Sequence, residues 1–210
     1  PSPSMVGDGA RSKLVLDPAA GDIPVLKLVN TVEGTWYANE WACNGAVRNI
    51  CISMPAGVGT GIEMRKINYF VFDHIRIIGG ARGLYAGPDY TVYFCTFSNI
   101  HMATSGGAAP PTVGADLNVG GCVLSNFVSM NNSGDSLRMK GTGNHVLGGE
   151  LLSTGGWSLW DSGLSNVYTG LWVEGTGVKL SGRHAYVDIH ESANRIYIDP
   201  TALNSKIVMG

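Results

Sequence analysis

Two carboxylates stand where this chain otherwise places apolar side chains. Glu150 falls in a row with Ile50, Ile75, Ile100, Phe127, Leu171 and Ile189, and Asp161 falls in a row with Met64, Ala86, Val119, Met139, Leu180 and Ile198. A carboxylate withdrawn from water has its pKa raised, which keeps a general acid protonated near neutral pH. Glycoside hydrolysis uses a pair of such groups, about 5 Å apart for retention or about 6.5–9.5 Å apart for inversion. A lyase would need a base instead. Asp116, Asp135 and Glu174 sit beside insertions or glycine turns and are further catalytic candidates. Each acid also has a structural reading. A bulge at Gly148-Gly149 would turn Glu150 outward and Leu151 inward. Asp161-Ser162-Gly163 would be a turn with Asp161 capping backbone amides, and Asp116, Asp135 and Glu174 would be turn formers.

The binding candidates are aromatic and polar. Tyr85 and Trp160 fall in an outward row with Glu63, Asn118, Arg138, Lys179 and Tyr197. Trp172 takes another outward position, Trp157 lies in a Gly-Gly turn, and Trp36 and Trp41 lie with Tyr37 in an irregular stretch, 30–45. Flat rings along an extended surface suit stacking on the C–H faces of sugars, with Asn118, Arg138 and Lys179 available for hydroxyl or acidic groups. The alternatives are that Trp172 packs in a subunit interface and that the 30–45 rings cover one flank of the body. His145 shares a row with Phe70, Cys95 and Cys122, whereas His101 at an outward position and His190 near the end have no metal-ligand spacing and read as surface or hydrogen-bonding histidines. The cysteines have no CxxC pattern, and Cys95 and Cys122 hold the same repeat position, which suits stacked buried thiols. No phosphate loop, dinucleotide fingerprint or Gly-x-Ser-x-Gly elbow is present, so neither a cofactor nor a metal is expected.

These residues need a scaffold, and the chain supplies one by repeating. Phe72-Asp73-His74-Ile75 is answered by Phe97-Ser98-Asn99-Ile100. Extended in both directions, a turn column runs Asn49, His74, Asn99, Asn126, Gly149, Gly170, Asp188, all types that tolerate left-handed backbone. Two before it come Val47, Phe72, Phe97, Leu124, Leu147, Tyr168 and Tyr186. A second apolar column, Ile62, Leu84, Leu117, Leu137, Leu159, Val178, Ile196, begins an in–out–in strand in each coil. No stretch has a 3.6-residue period. Several short strands per repeat of about 18–27 residues predict a single-stranded, right-handed parallel β-helix, all-β and partial. One continuous domain is expected, with N-terminal strands and an aromatic loop over 1–46, regular coils over 47–210, and an insertion at 104–114. The residues three before the turn column, Ala46, Val71, Thr96, Val123, Val146, Val167 and Ala185, read as an apolar outward row, which predicts a cover such as a parallel homotrimer.

Gly is 30 of 210 residues and net charge is −2 without a Lys/Arg run, which disfavours nucleic-acid and anionic-membrane surfaces. No segment approaches 18 consecutive apolar residues. The stretches 7–16, Val47-Arg48-Asn49-Ile50-Cys51-Ile52, Gly61-Ile62-Glu63-Met64 and Gly83-Leu84-Tyr85 resemble the pectate-lyase-like β-helix proteins, especially bacteriophage tailspike depolymerases. The usual upstream helix and strand are missing, and Pro1-Ser2-Pro3-Ser4 reads as the middle of something longer. The resemblance implies a homotrimer on a virion tail or another extracellular structure. It also implies binding of bacterial surface polysaccharide, capsule or O-antigen, and its cleavage by a glycoside hydrolase or lyase, for which the family has no fixed catalytic motif. A non-catalytic glycan-binding adhesin or fibre module, or a structural trimeric spacer, would use the same scaffold.

Overall fold

The computed structural model describes residues 4–9, 12–29, 44–88, 91–103, 109–191 and 195–209. Trp36, Tyr37, Trp41 and Cys43, and part of the 104–114 insertion, lie outside the described residues.

The chain is a parallel β-helix of about seven turns, each of about 22 residues, with 66% of it in strands. Among the described residues there is no α-helix, only a 3-10 turn at Pro18–Ala20 with Asp17 capping the Ala19 amide. The first face of the solenoid uses the leading parts of two long strands, Gly45–Arg65 and Phe70–Ala86. It continues through Thr96–Met102, Val123–Asn132, His145–Ser153, Val167–Gly175, Tyr186–Glu191 and Lys206–Met209. The second face uses Pro24–Val29, the trailing parts of the same long strands, and Val113–Leu117, Leu137–Met139, Leu159–Asp161, Val178–Leu180 and Ile196–Ile198. A short third edge pairs Ile67–Asn68 with Val92–Tyr93 and continues as single bridges through Gly120, Thr142, Leu164 and Arg183. The N-terminal strands Ser4–Val6, Lys13–Val15 and Pro24–Val29 all pair with Gly45–Arg65 and form the first coil.

Stacking like on like fills the interior. Val47, Phe72, Phe97 and Leu124 sit above one another, as do Ile50, Ile75, Ile100 and Phe127, and all are buried. The rings of Phe72 and Phe97 lie 4.7 Å apart and 4° from parallel, one strand spacing along the axis. Cys95 and Cys122 stack as free buried thiols, and the Cys95 amide donates to the Cys122 sulfur at 3.3 Å.

The corner column is real, but its register differs from the sequence reading in two coils. Asn49, His74, Asn99 and Asn126 all have φ between 50° and 54°. The next member is Gly148, because Ser125 pairs with Leu147 and Phe127 with Gly149. In the last comparison Thr169 pairs with Asp188 and Leu171 with Ile189, so Gly170 has no counterpart and Asp188 is an ordinary strand residue. Most assignments tied to those coils move by one, while Ile189 keeps its inward place opposite Leu171. Val146 and Val187, not Leu147 and Tyr186, point inward, and Leu147 is 43% exposed. Asn144, not His145, follows Cys122 in its row. The outward row becomes Ala46, Val71, Thr96, Val123, His145, Val167, Tyr186 and Lys206. Val146 and Ala185 are buried, so that row is less apolar than the sequence suggested.

A second left-handed corner, absent from the sequence reading, runs Tyr69, Phe94, Gly121, Gly143, Ser165, His184 and Asn204, with φ between 55° and 68°. Bulky residues at positive φ are outliers held only by surrounding structure. Here the amides of Tyr69, Phe94, Gly121, Gly143, Ser165 and His184 each donate to a carbonyl of the following coil.

The interior also holds a polar layer. The amides of Cys122 and Asn144 donate to Oδ1 of Asn144 and Asn166 respectively, at 3.0 and 2.9 Å. Buried Ser129 and Ser136 donate to Asn132 Oδ1, while Asn132 Nδ2 reaches the Pro111 carbonyl at 2.7 Å. Buried polar groups persist when partnered in this way.

Candidate functional site

On the second face, the in-register outward row is Lys27, Glu63, Tyr85, Asp116, Arg138, Trp160, Lys179 and Tyr197. Parallel pairing places each about 4.8 Å from the next, so rings are interspersed among charges along the axis. Lys27 meets Glu63 at 3.5 Å, and Asp116 takes Lys140 at 2.7 Å and Arg138 at 3.7 Å. Arg138 is also fixed by Asp135, which accepts from the Arg138 Nε and from the Trp157 amide. Arg82 lies 4.3 Å over the Tyr85 ring. Arg138 and Lys179, from the coils on either side, lie 5.2 and 4.5 Å from the Trp160 ring centre. Arg195 covers Trp157 at 4.1 Å.

These cation–π contacts change what the aromatic residues can do. The faces of Trp160 are occupied by its neighbours, and its Nε1 donates to Ser181 Oγ at 3.0 Å. Trp160 is therefore a spacer that holds two cations in position, not a free platform for a sugar ring. What the row offers outward is an ordered file of guanidinium, ammonium and carboxylate groups.

Beside this row the chain turns toward the third edge, and there the side chains are small. One hollow of about 260 Å³ is lined by Pro88, Thr91, Tyr93, Asn118, Gly120 and Thr142 among others. A second, of about 300 Å³, is lined by Lys140, Thr142, Ser162, Gly163, Ser181 and Arg183 among others. They share Thr142 and follow the bridge residues Tyr93, Gly120, Thr142, Leu164 and Arg183, four coil steps or about 19 Å. The glycines make the trough: a Cβ on Gly141 would fall 1.7 Å from the Val119 carbonyl oxygen, and one on Gly163 2.0 Å from that of Gly141. Hydroxyls, an amide and two cations edge a floor made of backbone.

The candidates named from the sequence divide accordingly, and the acid pair does not assemble. Glu150 belongs to the first face, in an outward row with Val128 and Trp172, and Leu151 is the inward residue. The corner at Gly148 produces this: it lies opposite Asn126 and Gly170 without a register shift, so the expected bulge is not present and Glu150 follows the corner by two residues. Asp161 is on the second face and does point inward, fully buried. Its Oδ1 accepts from the Gly163 amide and from Asn166 Nδ2, both at 2.9 Å. Desolvation raises its pKa against the lowering effect of those bonds. Its Oδ2 and the neighbouring Tyr168 hydroxyl are both buried without a hydrogen-bond partner, and burial beside Asp161 raises the Tyr168 pKa. The turn reading of Asp161 and its inward placement therefore both hold. Asp135 is buried as the acceptor described above, and Glu174 accepts from the indole of exposed Trp172.

Asn118 is not in the outward row. Ala115 and Leu117 are the inward pair, so Asp116 stands between Tyr85 and Arg138, while Asn118 lines the trough and donates to the Pro88 carbonyl at 2.9 Å. Tyr85, Arg138, Trp160 and Lys179 do come together, Trp157 joins them through Tyr197 at 6.2 Å, and Trp172 lies apart on the first face against His190. Trp36 and Trp41 lie outside the described residues. Sequence reasoning missed the trough itself; its signal was the glycine that follows successive second-face strands at Gly120, Gly141, Gly163 and Gly182. Among the described residues no group of three His, Cys, Asp or Glu side chains could hold a metal, and no helix is long and apolar enough to cross a membrane.

No family model matches the chain, and neither does any curated protein or solved structure.

Proposed function

We propose that the chain binds an extended, hydroxyl-rich polysaccharide along the second-face trough, as a glycan-recognising β-helix of the tailspike or fibre type. The observation that carries this reading is the continuity of the trough: two hollows joined at Thr142, floored by glycine backbone and edged by Asn118, Ser162, Ser181, Lys140 and Arg183. A chain of sugars needs many modest polar contacts repeated along a line, and a solenoid supplies equivalent side chains at a fixed rise. Arg183, with Lys140 already paired to Asp116, favours an acidic glycan, such as a capsule or O-antigen bearing uronates. The setting this implies is bacterial surface polysaccharide met by a virion tail or another extracellular fibre.

Binding is favoured over cleavage because the acids are committed. Asp116 and Asp135 are held by cations, Glu150 faces another side, and Asp161 lies beneath the trough floor without exposure. One observation favours an endoglycosidase: Asp161, with its raised pKa, immediately precedes the trough residue Ser162. A parallel homotrimer belongs to the proposal, on the apolar part of the first-face row, Ala46, Val71, Val123 and Val167.

The test is retention on a panel of immobilised capsular and O-antigen polysaccharides, followed by mass analysis of the supernatant. Retention without released oligosaccharide, lost in Thr142→Trp and Ser162→Trp, is the expected result. Retention unchanged by both trough-filling variants would overturn the location. Released oligosaccharides would select the cleavage reading, and an unsaturated uronate among them would mark a lyase.

A further inference from the structure

The first-face outward row that contains Glu150 begins elsewhere with Lys13, Cys51, Arg76 and His101, each opposite the next in register. Arg76 differs from the other well-placed cations. Lys27, Arg138 and Lys140 have carboxylates within 4.0 Å, and Arg82, Lys179, Arg195 and Lys206 lie over rings. Among the described residues Arg76 has neither kind of partner, and its Nε is buried with no acceptor. A guanidinium N–H withdrawn from water without an acceptor is costly to keep.

Arg76 borders an open cavity of about 300 Å³ whose other polar walls are Asn49, His74, Asn99, His101 and the edge of Cys51. Among the described residues no acidic one lines it. The nearby acid, Asp73, is already claimed by Ser98 Oγ at 2.7 Å, Asn99 Nδ2 at 3.0 Å and His74 Nδ1 at 2.9 Å. Glu150 acts on His101 from two coils further along the row. Among the described residues the hollow therefore gathers a cation, two imidazoles and amides around a space that no acidic side chain lines.

We infer that this cavity is an anion site that takes a carboxylate group, with Arg76 as its charge partner and His101 as a second donor. The planar guanidinium fork matches a carboxylate in two parallel hydrogen bonds, which would satisfy the orphaned Nε–H. The site lies on a different face from the trough and does not rest on the polysaccharide reading. The carboxylate could come from a uronate of an acidic glycan or from a free small acid.

The test is an NMR titration of the whole chain, observing the Arg76 side-chain Nε–H and the His101 ring. The probes are trigalacturonate, its methyl ester and sodium acetate. Saturable shifts at both nuclei with trigalacturonate or acetate, and none with the ester, are expected. Arg76→Gln should weaken that affinity about tenfold or more while leaving the circular dichroism of the fold unchanged. Tighter binding of trigalacturonate than of acetate would identify the glycan as the source, and equal affinity per carboxylate would identify a free acid. Absence of saturable shifts with both acids would overturn the site. So would equal shifts with the ester, or an Arg76→Gln variant that binds as the parent does.

Discussion

Asp161 and Asp73 are acids pushed in opposite directions. Burial disfavours the ionised form of Asp161, so its folded pKa lies above the unfolded value of 3.8. The folded state then holds the proton more tightly, and the stability linked to this group is present at low pH and declines as pH rises from about 3.8 through the folded value. Asp161→Asn keeps an oxygen for the Gly163 amide and Asn166, and adds an N–H that can face the Tyr168 hydroxyl. It should be neutral or stabilising by about 1 kcal/mol at pH 7, whereas Asp161→Ala should cost about 1–3 kcal/mol. Urea midpoints of the two variants at pH 7 check the contrast. For Asp73, burial pushes upward, but hydrogen bonds from Asn99, His74 and Ser98 with the charge of His74 outweigh it and hold the pKa at about 2. That stability is complete above 3.8 and is lost as pH falls toward about 2. Asp73→Asn should therefore flatten the acid limb of a stability–pH curve over that interval and leave the neutral limb's slope as it is.

At the scale of the strand and corner, Gly148 and Gly149 separate conformational strain from steric obstruction. Both have positive φ, but a Cβ on Gly148 meets nothing within 4 Å while one on Gly149 would lie 2.1 Å from the Phe127 carbonyl oxygen. Gly148→Ala should cost about 1–2 kcal/mol, the penalty of a left-handed alanine. Gly149→Ala should cost clearly more, because the two coils must part or the register must slip, and thermal unfolding of the two variants would show the difference. The same pair explains where sequence legibility ended. Asn49, His74, Asn99 and Asn126 can be aligned from residue type, since each is flanked by apolar residues at fixed offsets. Two adjacent glycines both fit the corner, and composition cannot choose between them, so the side on which Glu150 falls is not legible from the row alone. Ala115, Leu117 and Val119 are likewise all apolar and all buried, which leaves the outward residue open between Asp116 and Asn118. The second corner is illegible for a different reason: Tyr69, Phe94 and Ser165 are not residues that advertise left-handed backbone, and hydrogen bonds between coils, with the stacked rings of Tyr69 and Phe94, hold them there.

For the whole molecule, the repeat correctly predicts a parallel solenoid, because like residues must lie above one another once strands stack in register. The trough is not predictable in the same way, because it depends on which glycines face the same corner after several shifts in coil length. The assembly proposal has its own measurement: light scattering at micromolar protein should give three times the chain mass, and a monomer would remove the homotrimer. Stability should also vary along the axis, since each coil contacts only its neighbours. Amide exchange is expected to be slowest in the stacked Phe72–Phe97–Leu124 coils and fastest at Lys206–Met209, where the described chain has no further strand laid against it.

The internal row of Cys95, Cys122, Asn144 and Asn166 gives that axis a direction. The Cys95 amide is answered by the sulfur of Cys122, the Cys122 amide by Asn144, and the Asn144 amide by Asn166. Each of these three windings thus leaves an amide donor that its successor closes, and Asn144 and Asn166 in turn give a side-chain N–H back to the Val119 and Gly141 carbonyls of the winding before. A chain emerging from the ribosome N-terminus first would complete its windings in order of synthesis, every newly arrived layer sealing the one made just before it.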